Sequence, residues 1–279
     1  MIHRVIARLD IKGPNLVKGV HLEGLRVLGK PSVFAEKYYS EGVDELMYQD
    51  VVASLYERNS LEEFIEKTAE NIFIPMTVGG GIRTIKDIRK ILRAGADKVS
   101  INTAAIKKPE FIKEASEYFG SSTIVISMEV IKQSNGKYLL FTDNGREYTG
   151  LDIEYWVEKI QFLGAGEFVV TSVDRDGTMR GLDTDLIDLI TPNIDIPMIC
   201  HGGIGSVKDF NIMNEAPISG IAVASAFHYN YLSELQNDES VFIEGNLDFL
   251  KSKKLVKKGF SVDELKKYMI ERDINVRYS

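Results

Sequence analysis

Short apolar runs rich in β-branched residues alternate along the chain with longer stretches whose apolar residues recur every three or four positions. The short runs are Arg4–Leu9, Glu45–Tyr48, Pro75–Val78, Lys98–Ile101, Thr123–Met128, Glu167–Thr171, Pro197–Cys200 and Gly220–Val223. Runs of this length with both faces apolar predict parallel strands covered on two sides. The longer stretches predict helices over Pro31–Glu41, Leu61–Asn71, Ile85–Ala94, Pro109–Phe119, Ile153–Leu163, Thr184–Thr191, Val207–Glu215 and Val262–Glu271. Ser60 and Thr184 supply helix start signals, and Thr84 with Asp87 reads as a capping box with Asp in the usual Glu position. Strand alternating with helix gives an α/β chain and a single (β/α)8 TIM barrel. The length of 279 residues is close to the roughly 250 of one such barrel. From about Asn230 to Lys258 the rhythm breaks. The basic cluster Lys251–Lys258 marks this as an insertion before the last helix, either a solvated excursion or a contact surface.

The pattern also repeats. Asp10 and Glu129, Asp50 and Asp174, Gly80 and Gly202, and Ser100 and Ala222 are each about 120 positions apart. The barrel is therefore expected to be two half-barrels, each with an acid after its first strand and a glycine-rich turn after its third.

Composition narrows the function. Hydrophobic residues make up 44%, charged residues 27%, and the net charge is -7. That is ordinary for a globular protein, and its acidity does not suit nucleic acid. The one cysteine, Cys200, excludes an internal disulfide and fits a reducing cytoplasm. The opening Met1-Ile2-His3-Arg4-Val5 lacks the apolar stretch of a signal peptide, and no run is long enough for a membrane span. The expectation is a cytoplasmic enzyme without metal or cofactor.

Three sets of residues carry chemistry. Gly79-Gly80-Gly81 and Gly202-Gly203 each follow a strand and precede a helix. Glycine lets backbone N–H groups approach an anion that a Cβ would keep away. With Asn102 and Thr103 in the first half and Ala224 and Ser225 in the second, these turns read as two phosphate cradles. The second set is Asp10 and Glu129, at matching strand ends on opposite sides of the mouth, with Asp50, Asp174 and Asp176 on the same rim. An acid and a base so placed can act on different faces of a substrate held between two phosphates. A strand-end Asp also serves simply as a helix cap. The third set, Arg4, Glu45, Lys98 and Glu167, opens strands that are assigned odd numbers, with charges alternating in sign. One layer of four charges implies a ring of salt bridges. It is either a structural plug or a gate for a small molecule entering from below.

Leu9-Asp10-Ile11-Lys12, Val17-Lys18-Gly19, Thr77–Ile82, Asp97–Thr103, Thr171–Thr178 and Phe227-His228 resemble the HisF family, the cyclase subunit of imidazole glycerol phosphate synthase. The resemblance runs from Arg4 to about His228 and resumes at Asn275-Val276-Arg277. It implies that a HisH-like glutaminase docks on the bottom face and delivers ammonia through the charged ring. The ammonia then meets a bisphosphorylated intermediate at the top. Asp10 is implied as an essential acid/base, Lys18 as a substrate-loop residue, and Asp97 as part of the glutaminase interface. Asp50, Gly80, Gly81, Asn102, Thr103, Asp174, Asp176, His201, Gly202, Gly203, Ala224 and Ser225 are the expected substrate contacts.

Three residues depart from the family pattern. Glu129 stands where the family has an aspartate, and its extra methylene shifts the carboxylate by roughly an ångström. Arg8 replaces a small residue beside Asp10. It either lowers the Asp10 pKa or binds an additional substrate carboxylate. His201 replaces a small hydroxyl residue, and either caps the phosphate or packs inertly. Gly13-Pro14-Asn15 and His21–Leu25 are similar to HisF paralogues associated with amidation of bacterial surface sugars. The preferred expectation is such a paralogue. The alternatives are the housekeeping cyclase of histidine biosynthesis and a non-catalytic adaptor that channels ammonia. The sister isomerase of the same pathway shares the two cradles but needs no charged ring.

Overall fold

The computed structural model describes residues 1–53, 62–235 and 259–278. Eight parallel strands close on themselves: β1 Arg4–Lys12, β2 Glu45–Asp50, β3 Met76–Gly79, β4 Lys98–Ile101, β5 Ile124–Lys132, β6 Glu167–Ser172, β7 Met198–His201 and β8 Gly220–Val223. Each pairs with its neighbour in sequence, and β1 pairs with β8 to close the ring. The helices on the outside are α1 Pro31–Ser40, α2 Glu62–Ala69, α3 Ile85–Arg93, α4 Thr103–Lys107, α5 Glu110–Phe119, α6 Ile153–Phe162, α7 Thr184–Ile190, α8 Ser225–Leu235 and α9 Val262–Glu271. The segment Val207–Asn214, expected as an α-helix, is 3-10 helix. The expected start signal at Ser60 lies outside the described residues.

Alternation along β1 shows how the sequence builds two cores. Val5, Ala7, Leu9 and Ile11 join the large apolar cluster between sheet and helices. Arg4, Ile6, Arg8 and Asp10 occupy the other face, which lines the barrel. Ile6 meets Met47, Val125, Val169, Ile199 and Ala222 in a second, smaller cluster inside it.

The half-barrel repeat appears in the register. Ile6 stands opposite Glu45 and Val125 opposite Glu167; Asp10 stands opposite Gln49 and Glu129 opposite Thr171. Asp10 and Glu129 are thus equivalent positions. Each lies inside its strand rather than after it, because β1 and β5 run on to Lys12 and Lys132. Asp50 stands opposite Ile11 and Ser172 opposite Val130. Ser172, not Asp174, is therefore the counterpart of Asp50. The capping box repeats too: Thr84 with Asp87 starts α3, and Ser206 with Asp209 starts the 3-10 segment.

Each half also carries a hairpin after its first strand, which the apolar pattern did not predict. The first joins Asn15–Val20 to Glu23–Gly29, the second Tyr138–Thr142 to Glu147–Asp152. The second turns through Asp143, Asn144 and Gly145, all with positive φ. Asn-Gly after an apolar run was its legible signal.

Of the break expected from about Asn230, residues 230–235 continue α8. The rest of the expected insertion, 236–258 with its basic cluster, lies outside the described residues.

Candidate active site

The charged ring closes the lower end of the barrel. Arg4 pairs with Glu45 at 2.8 Å and also with Glu167, while Lys98 reaches Glu45 at 3.2 Å and Glu167 at 2.9 Å. Thr77 adds a hydrogen bond to Glu45 at 2.6 Å. The strand parity differs from expectation. Glu45, Lys98 and Glu167 open the even strands β2, β4 and β6, and only Arg4 comes from an odd one. An even layer needs a fourth member from β8, but the position there is Gly220, and a Cβ on it would meet Ile6 Cδ1 at 3.0 Å and Arg4 Cβ at 3.5 Å. A missing side chain on β8 thus leaves room for Arg4 to reach across from β1. Asp97 lies just outside the ring, exposed, accepting from the Met76 N–H at 2.8 Å.

At the other end, the C-terminal mouth, the two halves differ. The first holds a pocket of about 250 Å³ whose lining includes Gln49, Gly80, Gly81, Asn102, Thr103 and Glu129. Gly80 and Gly81 have φ of 107° and 70°, and a Cβ on Gly80 would sit 2.5 Å from the Asp50 carbonyl oxygen. Asp50 itself accepts from the Val52 N–H at 3.0 Å. Gln49 Oε1, Ser100 Oγ and Asn102 Oδ1 are buried around this space without a partner among the described residues. Polar atoms buried this way are costly unless a ligand or water satisfies them. Arg83 and Lys107 add two cations to the lining. The sequence marks Ser100 only as part of the repeat, and it does not mark Gln49, Arg83 and Lys107, which belong to no carboxylate pair or repeat pair. Gly80→Ala is expected to cost about 1–3 kcal/mol through its left-handed backbone, and to abolish inorganic phosphate binding in this pocket. Urea denaturation and phosphate titration check both outcomes.

In the second half the hairpin Asn15–Gly29 folds over the cradle. Lys18 Nζ lies 2.9 Å from both Asp176 oxygens and 3.3 Å from Asp10 Oδ2. The His21 and Leu22 N–H groups donate to Asp176, and Asn144 donates to the Leu22 carbonyl. His201 Nε2 is 3.2 Å from Asp176, and His201 Nδ1 is 2.8 Å from the Ala222 carbonyl oxygen. The space left among Gly202, Gly203, Ala224 and Ser225 is only about 10 Å³. Ser225 Oγ is buried there with no partner among the described residues. Asp174 is not part of this cluster; it is exposed and accepts from the Lys132 N–H at 2.8 Å.

The two acids sit in opposite environments. Burial works to raise the Asp10 pKa, but Arg8, 2.8 Å away, and Lys18 outweigh it and hold the carboxyl below its usual range. Burial opposes ionisation of Asp176 as well, and Lys18 and His201 overcome it. Among the described residues no cation contacts Glu129. Burial raises it from 4.5 to about 7, against a 2.7 Å hydrogen bond from the Gly145 N–H and the more distant charge of Arg8. Folded protein therefore binds this proton more tightly than unfolded chain. The stability it contributes is complete below about pH 4.5 and is lost as pH rises through about 7. Melting temperatures should show the parent losing stability across that window relative to Glu129→Gln; parallel curves would contradict the assignment.

Two cradles, two acids and a lower ring of charges sit in a barrel whose halves repeat, and residues 4–233 match the histidine biosynthesis protein family. The chain belongs to that family. Its relatives include "Imidazole glycerol phosphate synthase subunit HisF" of Legionella pneumophila, 53% identical over 208 residues, covering 75% of this chain and 98% of the relative. The protein of the same name from Natranaerobius thermophilus is 44% identical over 237 residues, covering 84% and 94%. That of Alkaliphilus metalliredigens is 43% identical over 231 residues, covering 82% and 92%. The resemblance to HisF noted from the motifs thus extends over most of the barrel. Among the described residues no helix is long and apolar enough to cross a membrane, and no group of three or more His, Cys, Asp or Glu is placed to hold a metal ion.

Proposed function

We propose that the chain is the cyclase-type subunit of an imidazole glycerol phosphate synthase. In this reading a HisH-like glutaminase docks on the N-terminal face around Asp97 and supplies ammonia through the ring of Arg4, Glu45, Lys98 and Glu167. The substrate carries a phosphate at each end, one over Gly80, Gly81, Asn102 and Thr103, the other over Gly202, Gly203, Ala224 and Ser225. The observation that carries this is the equivalence of Asp10 and Glu129 in the two halves, Glu129 lining the pocket of the first cradle and Asp10 binding the Lys18 that covers the second. Glu129, with a pKa of about 7, is suited to exchange a proton with substrate at neutral pH. Asp10, held ionised, is suited to accept a proton or steady a developing positive charge. Lys18 must leave Asp176 to admit the second phosphate, and then becomes a cation free to cover it. The names of the relatives support this cyclase reading over the sugar-amidation paralogue preferred from the motifs. The purified chain with ammonium salt should consume the bisphosphorylated ribulosyl intermediate and release imidazole glycerol phosphate and an aminoimidazole ribotide. No consumption under those conditions would sink the reading.

A second reading keeps the ammonia chemistry and changes the substrate to a surface-sugar precursor. It is favoured by the Arg8 guanidinium held against Asp10 and by the longer acid at Glu129. Binding of phosphate without turnover of the ribulosyl intermediate would favour it.

A further inference from the structure

Arg8 is almost completely buried, at 3% exposure. Its place in the barrel layers says more. Two positions above Ile6 on β1, it stands in a layer drawn from the odd strands. The other members are Gly79 on β3, Ser127 on β5 and His201 on β7. Two of these are small, which leaves the centre of the layer open to one long side chain. Arg8 fills it. Its Nε donates to Asp10 Oδ1 at 2.8 Å on its own strand, and its Nη1 donates to Thr171 Oγ1 at 3.2 Å on β6. Strands β1 and β6 are separated by β7 and β8, so the guanidinium crosses the interior of the barrel. Below lie two layers that are mostly apolar, Met47, Val169 and Ala222 with Ser100 on the even strands and then Ile6, Val125 and Ile199 with Thr77 on the odd ones. Below them is the charged ring.

We infer that Arg8 is a second closure of the barrel axis, a cationic roof that seals these layers from the substrate chamber above. The axis is then a short, largely apolar compartment with a charged door at each end. A buried guanidinium repels ammonium and other cations, and the largely apolar walls below offer a charged species little solvation, so only a small neutral molecule crosses. That the molecule is ammonia rests on the function proposed above; the closure itself does not. Anchored to Asp10, the roof leaves the side towards Glu129 as the exit.

Met47, 1% exposed inside the compartment, reports on the seal without substrate or partner. Thioether oxidation follows access. Hydrogen peroxide should oxidise Met47 in the parent as slowly as Met128 and Met198, which are buried on the helix side of the sheet. In Arg8→Ala, Met47 should become severalfold more reactive while Met128 and Met198 stay slow, as read by peptide mass spectrometry. Millimolar guanidinium, able to refill the space, should restore the slow rate. If the single variant does not fold, Arg8→Ala/Asp10→Asn removes one charge of each sign, keeps the cluster balanced, and is read the same way. An unchanged Met47 rate in a folded variant overturns the proposal. So does an equal rise at all three methionines, which is general loosening. Because no turnover is involved, failure of the cyclase assay leaves this result intact, and the reverse also holds.

Discussion

Replacing Asp10 with asparagine is expected to lower turnover of the bisphosphorylated intermediate with ammonium by about a hundredfold to ten-thousandfold. The substitution keeps the shape and removes one charge from a tightly balanced cluster. Arg8 and Lys18 are matched by Asp10 and Asp176, all four buried. Without the Asp10 charge, Arg8 loses its ionic partner and Lys18 is drawn wholly to Asp176. The second cradle then opens less readily, and the mouth lacks its permanently ionised acid. The loss should fall mainly on kcat, since the first cradle and its unpartnered polar atoms are untouched. An activity equal to the parent's would instead show that the charge at Asp10 takes no part in the chemistry, and no turnover in either form would fit a non-catalytic adaptor.

The second large effect belongs to the ring. Glu45, 1% exposed, binds Arg4, Lys98 and the Thr77 hydroxyl. Glu45→Ala leaves two cations sharing Glu167 and an unpaired hydroxyl. Removing one partner of a buried ionic network costs about 3–5 kcal/mol, because the remaining charge stays desolvated. Urea denaturation should show that loss as a lower midpoint at an unchanged slope. Glu45→Gln, which keeps the hydrogen bonds to Thr77 and Lys98 in part, should lose less. A cost below about 1 kcal/mol, the range of exposed pairs, would mean that the ring is more hydrated than its geometry implies.

Much of this protein is legible in its sequence. The β-branched runs place all eight barrel strands because a strand covered on both faces must be apolar throughout. The spacing of Asp10 and Glu129 and of Gly80 and Gly202 marks the two halves, because equivalent strands keep equivalent lengths. Both glycine turns were visible, since only glycine fits at φ near 100° against a neighbouring carbonyl. The hairpins were less legible. Their residues alternate weakly, and they are held by contacts far away in sequence, such as His21 and Leu22 on Asp176.

What the sequence determined by itself is the barrel, its repeat and the residue types at the mouth, because periodicity and glycine are local signals. What only the tertiary structure decided is which charges meet. Arg4 joins the even-strand ring because β8 offers a glycine there. Asp174 faces solvent while Asp176 binds Lys18, though they are two residues apart. Arg8 spans the barrel to Thr171, and Asp10 is held ionised while its equivalent, Glu129, contacts no cation among the described residues and holds its proton to about pH 7. Charge pairing depends on distances across the closed barrel, which local sequence pattern does not encode.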